Sequence, residues 1–210
     1  MFTNIFLKAV HNIWPMLFIF AVILISIRIT YLLCNKERFV FHKELLTLCF
    51  IIYILLLYYI VTFQDNNYGT NNFIPFREIF RYDLDSKLFI RNVLGNVLLF
   101  VPFGIFVTYY VKVNKVYIPI ILSLIVSCAI EFAQSLIGRT ADIDDVILNV
   151  LGGIIGYLIF KFGGKLYDKL PRFMKSEIFL DALSLAFVLV LVYLAFRFNF
   201  WRILSWIILK

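Results

Sequence analysis

The sequence predicts an all-α fold: a polytopic membrane bundle of about six transmembrane helices with one further helix in the membrane interface. Hydrophobic residues make up 63% of the 210 residues and charged residues only 16%, whereas soluble domains average about 45–50% and about 25%. The mean hydropathy is +0.94, and apolar runs of about 20 residues, the length that crosses a bilayer, recur along the chain. These observations exclude a soluble enzyme, a disordered regulator and a secreted disulfide scaffold.

The apolar runs that predict spans lie at 13–33, 45–63, 92–111, 116–137, 146–162 and 178–196. The first is too long for the core of a signal peptide and lacks a small-residue cleavage site, so we expect it to remain as a span. No internal repeat, low-complexity tract or linker interrupts the chain, which predicts a single membrane domain over residues 1–210. Three cysteines without paired spacing predict neither a disulfide framework nor a metal site.

Two apolar stretches are interrupted by charge. Residues 73–89 place apolar side chains at steps of three or four, with Pro75 near the start, which is typical of an interfacial helix or a re-entrant segment. Residues 198–209 contain two tryptophans and an arginine and resemble an interfacial anchor. For both stretches, anchoring without chemistry is the commoner role.

The charges of the loops predict the orientation. The loops after spans one, three and five carry ten Lys and Arg against four acids, and those after spans two and four carry five against seven. Because cytoplasmic loops are enriched in Lys and Arg, we expect the first set in the cytoplasm and the acidic set outside. The basic residues of the two termini oppose this orientation. The net charge of +7 suits cytoplasmic loops and lipid head groups rather than nucleic acid, which is not an expected partner.

Spans three, four and five each carry polar residues three or four apart, and therefore on one helix face: Asn92 and Asn96, Glu131 and Gln134, and Asp145 and Asn149. At a rise of 1.5 Å per residue, Asn96, Glu131 and Asn149 reach about 5–9 Å into the same leaflet. The sequence thus predicts a ligand-binding pocket open to the outer leaflet, completed by Arg139 and Asp142 of the turn above it and by Arg77 at its rim. No cofactor and no metal is expected.

The same residues could instead have purely structural roles. The four amides could be interhelical hydrogen bonds that stabilise the bundle, whereas Glu131 needs a partner or a proton in lipid. Arg139 could fold back onto Glu131, as could an arginine of the other outer loop.

Other residues of the spans indicate packing. Asp144 is placed to cap the fifth span. Gly152 and Gly156 favour close helix packing, and Pro102 with Gly104 is expected to kink or open the third span.

The combined pattern of these spans resembles the VanZ-like family of bacterial integral membrane proteins. Its motifs are Asn96-x3-Phe100-x-Pro102-x-Gly104, Glu131-x2-Gln134 and Arg139-x2-Asp142-x-Asp144-Asp145-x3-Asn149-x2-Gly152. The segment 72–76 resembles that family's element before the third span, and the resemblance covers residues 45–162. It implies a multi-pass protein of the bacterial plasma membrane, associated with resistance to teicoplanin and related glycopeptides or lipoglycopeptides in Gram-positive envelopes. It transfers no catalytic residue.

Three functions remain open at this point. The first is a protein that binds or shields a lipid-linked or peptidyl envelope component, besides its contact with the lipid bilayer. The second is a membrane-embedded hydrolase or transferase acting on a lipid-linked intermediate, with Glu131 or Asp145 as general base. The third is a transporter or proton-coupled flippase with Glu131 as the proton carrier.

Overall fold

The computed structural model describes residues 2–36, 38–63, 71–77, 79–81, 86–112, 114–136 and 138–208. Its α-helices are α1 Phe2–Asn35, α2 Phe41–Phe63, α3 Lys87–Phe89, α4 Gly95–Val111, α5 Tyr117–Leu136, α6 Ile143–Asp168 and α7 Glu177–Ile208. Two 3₁₀ helices, Ile79–Arg81 and Arg172–Lys175, and a π-helix, Ile90–Leu94, connect them. The described residues contain no strand, only one isolated β-bridge.

Six helices of the described chain are long and apolar enough to cross a membrane, which confirms the predicted bundle. The segments are Phe18–Asn35, Phe41–Val61, Asn92–Val111, Tyr117–Leu136, Ile143–Asp168 and Glu177–Leu194. The fifth span, α6, extends beyond the apolar run 146–162 at both ends. The added residues include Asp144 and Asp145 in the first turn and Lys165 in the last turn. Acidic side chains at the start of a helix and basic ones at its end interact favourably with the helix dipole.

The segment 73–89 is not the one continuous helix that its apolar spacing predicts. Its described residues form a turn around Pro75, the 3₁₀ helix Ile79–Arg81 and the short α3, while residues 78 and 82–85 lie outside the described part. Phe76 has a left-handed φ of 67°, which an α-helix cannot contain. The backbone N–H groups of Phe76 and Ile79 donate to a carboxylate of α6 rather than to carbonyls of their own segment. These two hydrogen bonds to a distant carboxylate take the place of backbone bonds that a continuous helix would make.

The last helix continues without a break through the predicted anchor. α7 reaches Ile208, so residues 198–208 prolong the sixth span instead of forming a separate segment. The side chains there lie outside the described part, and their role as an anchor stays a prediction.

The helices group into two compact units, and the single domain stays a prediction. Unit 1 comprises Met1–Val22 and Phe50–Asp168, and unit 2 comprises Ile23–Cys49 and Lys169–Lys210. The core of unit 1 is the packing of α4 and α5 against α6.

Glycines bring α4 and α6 into backbone contact. A Cβ added to Gly152 would lie 2.2 Å from the Val97 carbonyl oxygen, and one added to Gly156 would lie 2.2 Å from that of Val101. A Cβ on Gly104 would lie 2.1 Å from the Gly153 carbonyl oxygen. The close packing predicted for Gly152 and Gly156 is therefore present, and α4 continues through Pro102.

Unit 2 is held by charged contacts. Arg28 of α1 donates through Nε and Nη2 to the two carboxylate oxygens of Glu44 in α2, each at 2.9 Å. The backbone N–H of His42 donates to Asp181 Oδ1 at 2.8 Å, and His42 Nδ1 lies 2.6 Å from the same oxygen. Glu177 of α7 forms ion pairs with Arg38 at 3.3 Å and with Lys43 at 3.5 Å.

Candidate functional site: a polar cluster at one end of α4, α5 and α6

Polar side chains of three helices meet where α5 ends and α4 and α6 begin. Glu131 and Gln134 on α5 are each 8% exposed. The side-chain amide of Asn96 on α4 donates to Oδ1 of Asp145 on α6. With two residues of the turn that precedes α6, these form what we call the polar cluster: Asn96, Glu131, Gln134, Arg139, Asp142 and Asp145.

Asp142 caps the helix that carries Asp145. α6 begins at Ile143, and the Asp142 Oδ1 accepts the backbone N–H of Asp144 at 2.9 Å. This is the bond that an N-cap carboxylate makes to the second helical residue. The cap is therefore Asp142, and the expectation that Asp144 caps the span needs correction. Because Asp142 also donates its own N–H to Glu131 Oε2 at 2.8 Å, the start of α6 is tied to α5.

Asp144 holds the preceding loop instead, a role that its sequence context does not predict. Its side chain is only 1% exposed, and its two carboxylate oxygens accept the backbone N–H groups of Phe76 and Ile79. An aspartate in the first helical turn usually faces solvent, and no pattern in the sequence pairs it with residues nearly seventy positions earlier. Its burial and its partners depend on where the two loops meet.

Asn72 joins the two loops by a short parallel β-bridge with Asp142. The Asn72 N–H donates to the Ala141 carbonyl at 2.9 Å, and the Ile143 N–H donates to the Asn72 carbonyl at 3.0 Å. The Asn72 side-chain amide also donates to Asp142 Oδ1 at 2.9 Å. Asn72 belongs to the segment noted for its family resemblance, which was the available signal for its importance.

Arg139 does not fold back onto Glu131. Among the described residues its guanidinium donates to the carbonyl oxygen of Val61, and the Gln134 side-chain amide donates to the same oxygen at 3.2 Å. Val61 lies in the last turn of α2, where carbonyls lack helical N–H partners and the helix dipole favours a cation. The carboxylate of Glu131 accepts a hydrogen bond from the backbone N–H of Asp142 instead. The direct ion pair considered from the sequence is therefore replaced by two separate contacts.

Asn149 lies one helical turn beyond Asp145 and pairs with a serine. Its side-chain Nδ2 donates to Ser127 Oγ on α5 at 2.8 Å. Both side chains are buried, with 4% and 0% exposure. Ser127 and Ser123 were not among the predicted residues, although Ser123, Ser127 and Glu131 repeat every four residues and so share one face of α5.

The two remaining predicted residues lie at the edge of this region. Arg77 is exposed at the end of the turn that follows Pro75. Asn92 is half-buried within the π-helix that precedes α4. The role of both residues in binding remains a proposal.

Within the described residues, the arrangement combines two hydrogen-bonded carboxylates, Glu131 and Asp145, with the Arg139 guanidinium, which donates to one carbonyl oxygen. Asp145 is oriented by Asn96 and Glu131 by a backbone N–H. No three His, Cys, Asp or Glu side chains in the described chain are grouped as a metal site requires. Chemically, such a cluster can bind an anionic or amide-bearing group, and its carboxylates can exchange protons with one.

The comparisons with known proteins give a family. Residues 50–164, more than half of the chain, match the family model described as VanZ/LLP1. No curated protein and no solved structure matches the chain. The matched region contains α4, α5 and α6 with the whole polar cluster. The chain, a multi-pass membrane protein by its six apolar helices, therefore belongs to the VanZ/LLP1 family.

Proposed function

We propose that this VanZ-like protein lowers the susceptibility of a Gram-positive cell to teicoplanin or related (lipo)glycopeptides. In this proposal it resides in the bacterial plasma membrane and binds or shields a lipid-linked or peptidyl envelope component. The binding pocket is formed by the polar cluster with Asn149, Asn92 and Arg77, and it opens to the outer leaflet. The family match supports a VanZ-like protein, and the ligand is inferred from the chemistry of the cluster.

The surroundings of Arg139 carry the proposal. The residue is half-buried, and within the described chain it has a carbonyl oxygen as its acceptor and no carboxylate within ion-pair distance. A guanidinium has five N–H donors, and the described residues accept a hydrogen bond from one of them. A partly desolvated cation favours an anion in direct contact, and the planar fork of this one fits phosphate and carboxylate groups. An anionic group of an envelope intermediate would supply such a contact.

The loop beside the cluster fits an amphiphilic ligand. Phe73, Ile74, Phe76 and Phe80 are exposed by 72%, 59%, 50% and 82%. Arg77 lies exposed among them. A ligand with an anionic head and an apolar chain would place the head near the arginines and the chain along these side chains. This complementarity favours a lipid-linked component over a soluble peptide.

Binding can be measured with the purified protein in nanodiscs that contain a radiolabelled lipid-linked cell-wall intermediate. We expect Arg139→Gln to weaken binding by at least tenfold, because a charge-assisted contact is lost. Arg172→Gln removes the same charge at an exposed position of unit 2 and serves as the control. Equal binding by the parent chain and Arg139→Gln would remove the basis of the proposal.

The cellular test uses Glu131→Gln. The glutamine keeps an oxygen that can accept the Asp142 N–H, so the protein should insert and accumulate normally, while the charge and the titration are lost. We expect antibiotic protection to disappear in a host that depends on this protein, with unchanged abundance on an immunoblot. Full protection at normal abundance would show that the charge of Glu131 has no part in the function.

An enzymatic role is the second candidate, favoured by the fixed orientation of two carboxylates, Glu131 and Asp145. Either could act as the general base in hydrolysis or transfer on a lipid-linked intermediate while Arg139 holds its phosphate. The nanodisc experiment separates the two functions, because an enzyme converts the radiolabelled intermediate and a binding protein returns it unchanged. A change in the leaflet that holds the label would instead indicate a flippase.

The outward orientation of the cluster is part of the proposal and has its own test. Single cysteines at Thr140 and Lys169, in a chain without the native three, should react oppositely with a membrane-impermeant maleimide on intact cells. Labelling at position 140 and not at 169 is expected. The reverse pattern would place the cluster on the cytoplasmic side.

A further inference from the structure

A continuous row of polar side chains leads from the polar cluster into the membrane along α5. Gln134, Glu131, Ser127 and Ser123 follow one another at steps of three or four, and all four are buried, with exposures of 8%, 8%, 0% and 0%. Ser123 lies eight residues from Glu131, a distance of about 12 Å along the helix axis. The row thus passes the midpoint of the 20-residue α5. Opposite it, α6 contributes Asn149. We call Ser123, Ser127 and Asn149 the polar seam.

Two atoms of the polar seam are buried without a hydrogen-bond partner in the described chain. They are Asn149 Oδ1 and Ser123 Oγ, while Asn149 Nδ2 donates to Ser127 Oγ. If the oxygen and nitrogen of the Asn149 amide were exchanged, the nitrogen would lack a partner instead of the oxygen. In either orientation, one polar atom of this amide has no hydrogen-bond partner in the described chain. Buried polar groups in proteins are almost always paired, and the commonest partner when no protein atom is available is a bound water molecule.

The packing shows where the row ends. A Cβ added to Gly153 would lie 2.0 Å from Ser123 Oγ, so the backbone of α6 closes against α5 at this turn. Toward the polar cluster, the next polar residues on the same faces of α6 and α5 are Asp145 and Glu131. We therefore expect water to reach the polar seam from the side of the cluster.

We propose that the polar seam binds water, bridged between Asn149 Oδ1 and Ser123 Oγ, and forms a hydrated dead end of the candidate site. The inference rests on the polar cluster used in the proposed function. Its tests need no envelope ligand, so either proposal can fail without the other.

Accessibility to silver ions tests the hydration directly, because a thiol reacts with Ag⁺ only where water reaches it. In a chain lacking the native cysteines, Ser127→Cys should react with Ag⁺ and thereby become protected from later maleimide labelling in denaturant. A chain that keeps Cys128 as its sole cysteine is the matched control, since this adjacent residue is exposed and lies outside the polar seam. Reaction at least tenfold faster at position 127 supports the proposal, and equal rates overturn it.

The melting temperature of Ser123→Ala provides a second test that avoids a new cysteine. If Ser123 Oγ binds water, its removal leaves that water short of a partner, and the melting temperature should fall by a few degrees. If the oxygen is dry and unpaired, its removal should leave the melting temperature unchanged or raise it, which overturns the proposal. Ser135→Ala, at an exposed position of the same helix, is the control and should change little.

Discussion

The two units of the chain hold their helices by different means. In unit 1, α4 and α6 meet through glycines, with backbone against backbone, and α5 and α6 through hydrogen bonds such as that of Asn149. In unit 2, the contacts named above are ion pairs and a His–Asp contact between side chains that are mostly part-exposed. Glycine contacts depend on the absence of atoms, whereas ion pairs depend on long side chains that can rearrange. Unit 1 should therefore tolerate much less change, which suits a region that must keep a polar cluster in place.

The largest effect is expected from a single methyl group in the glycine contact. Gly104→Ala would bring its Cβ to 2.1 Å from the Gly153 carbonyl oxygen. Because the neighbour is backbone, the helices must separate, which costs about 1–3 kcal/mol in typical overpacked cores. Thermal unfolding in detergent should show a lower melting temperature and less folded protein.

Gly164→Ala is the matched control for this comparison. It lies in α6, and its added Cβ meets nothing within 4 Å. Because alanine is about 1 kcal/mol more favourable than glycine inside a helix, this variant should be as stable as the parent or slightly more so. If both variants had the same melting temperature, close backbone packing would not be what holds unit 1.

A more local effect, confined to one loop, is expected where a carboxylate, and not a glycine, holds unit 1. Asp144→Ala removes the acceptor of the Phe76 and Ile79 N–H groups, and hydrogen bonds to charged groups contribute about 1.5–3 kcal/mol. Hydrogen exchange of these two amides should accelerate more than that of the α4 backbone. Asp144→Asn keeps one acceptor oxygen and should show an intermediate rate. Unchanged exchange in Asp144→Ala would mean that the loop is held by other contacts.

In unit 2, the ion pairs should contribute less. The Arg28 and Glu44 side chains are 46% and 19% exposed and make two bonds of 2.9 Å, so a double-mutant cycle with Arg28→Gln and Glu44→Gln should give a coupling of up to about 1 kcal/mol. Lys43 and Glu177, at 3.5 Å and more exposed, should show no measurable coupling. A coupling above that of the glycine contact would reverse the comparison between the two units.

A weak coupling is also expected between Glu131 and Arg139. Their hydrogen bonds go to Asp142 and Val61, respectively, and not to each other. In a double-mutant cycle, the effects of Glu131→Gln and Arg139→Gln on stability should therefore be close to additive. The coupling free energy should be far below the roughly 3–5 kcal/mol lost when a buried ion pair is broken. A strong coupling would restore the direct pair considered from the sequence.

The sequence alone determined the membrane character, the six spans and the end of the bundle where polar residues collect. It did so because hydropathy is a local property that the lipid solvent selects in each segment, and because the depth of a residue follows from the helical rise. The glycine packing of Gly152 and Gly156 was visible for a similar reason, since spacing along one helix fixes a shared face.

Only the tertiary structure decided which partner each polar group takes. Arg139 contacts Val61, Asp144 contacts the loop around Phe76, and Asn72 bridges to Asp142, all across long stretches of sequence. Hydrogen bonds are short-ranged and directional, so the choice depends on which unpaired N–H and carbonyl groups a neighbouring segment presents. The same competition replaced the predicted interfacial helix by turns, because a buried carboxylate offered its amides a partner that apolar spacing does not reveal.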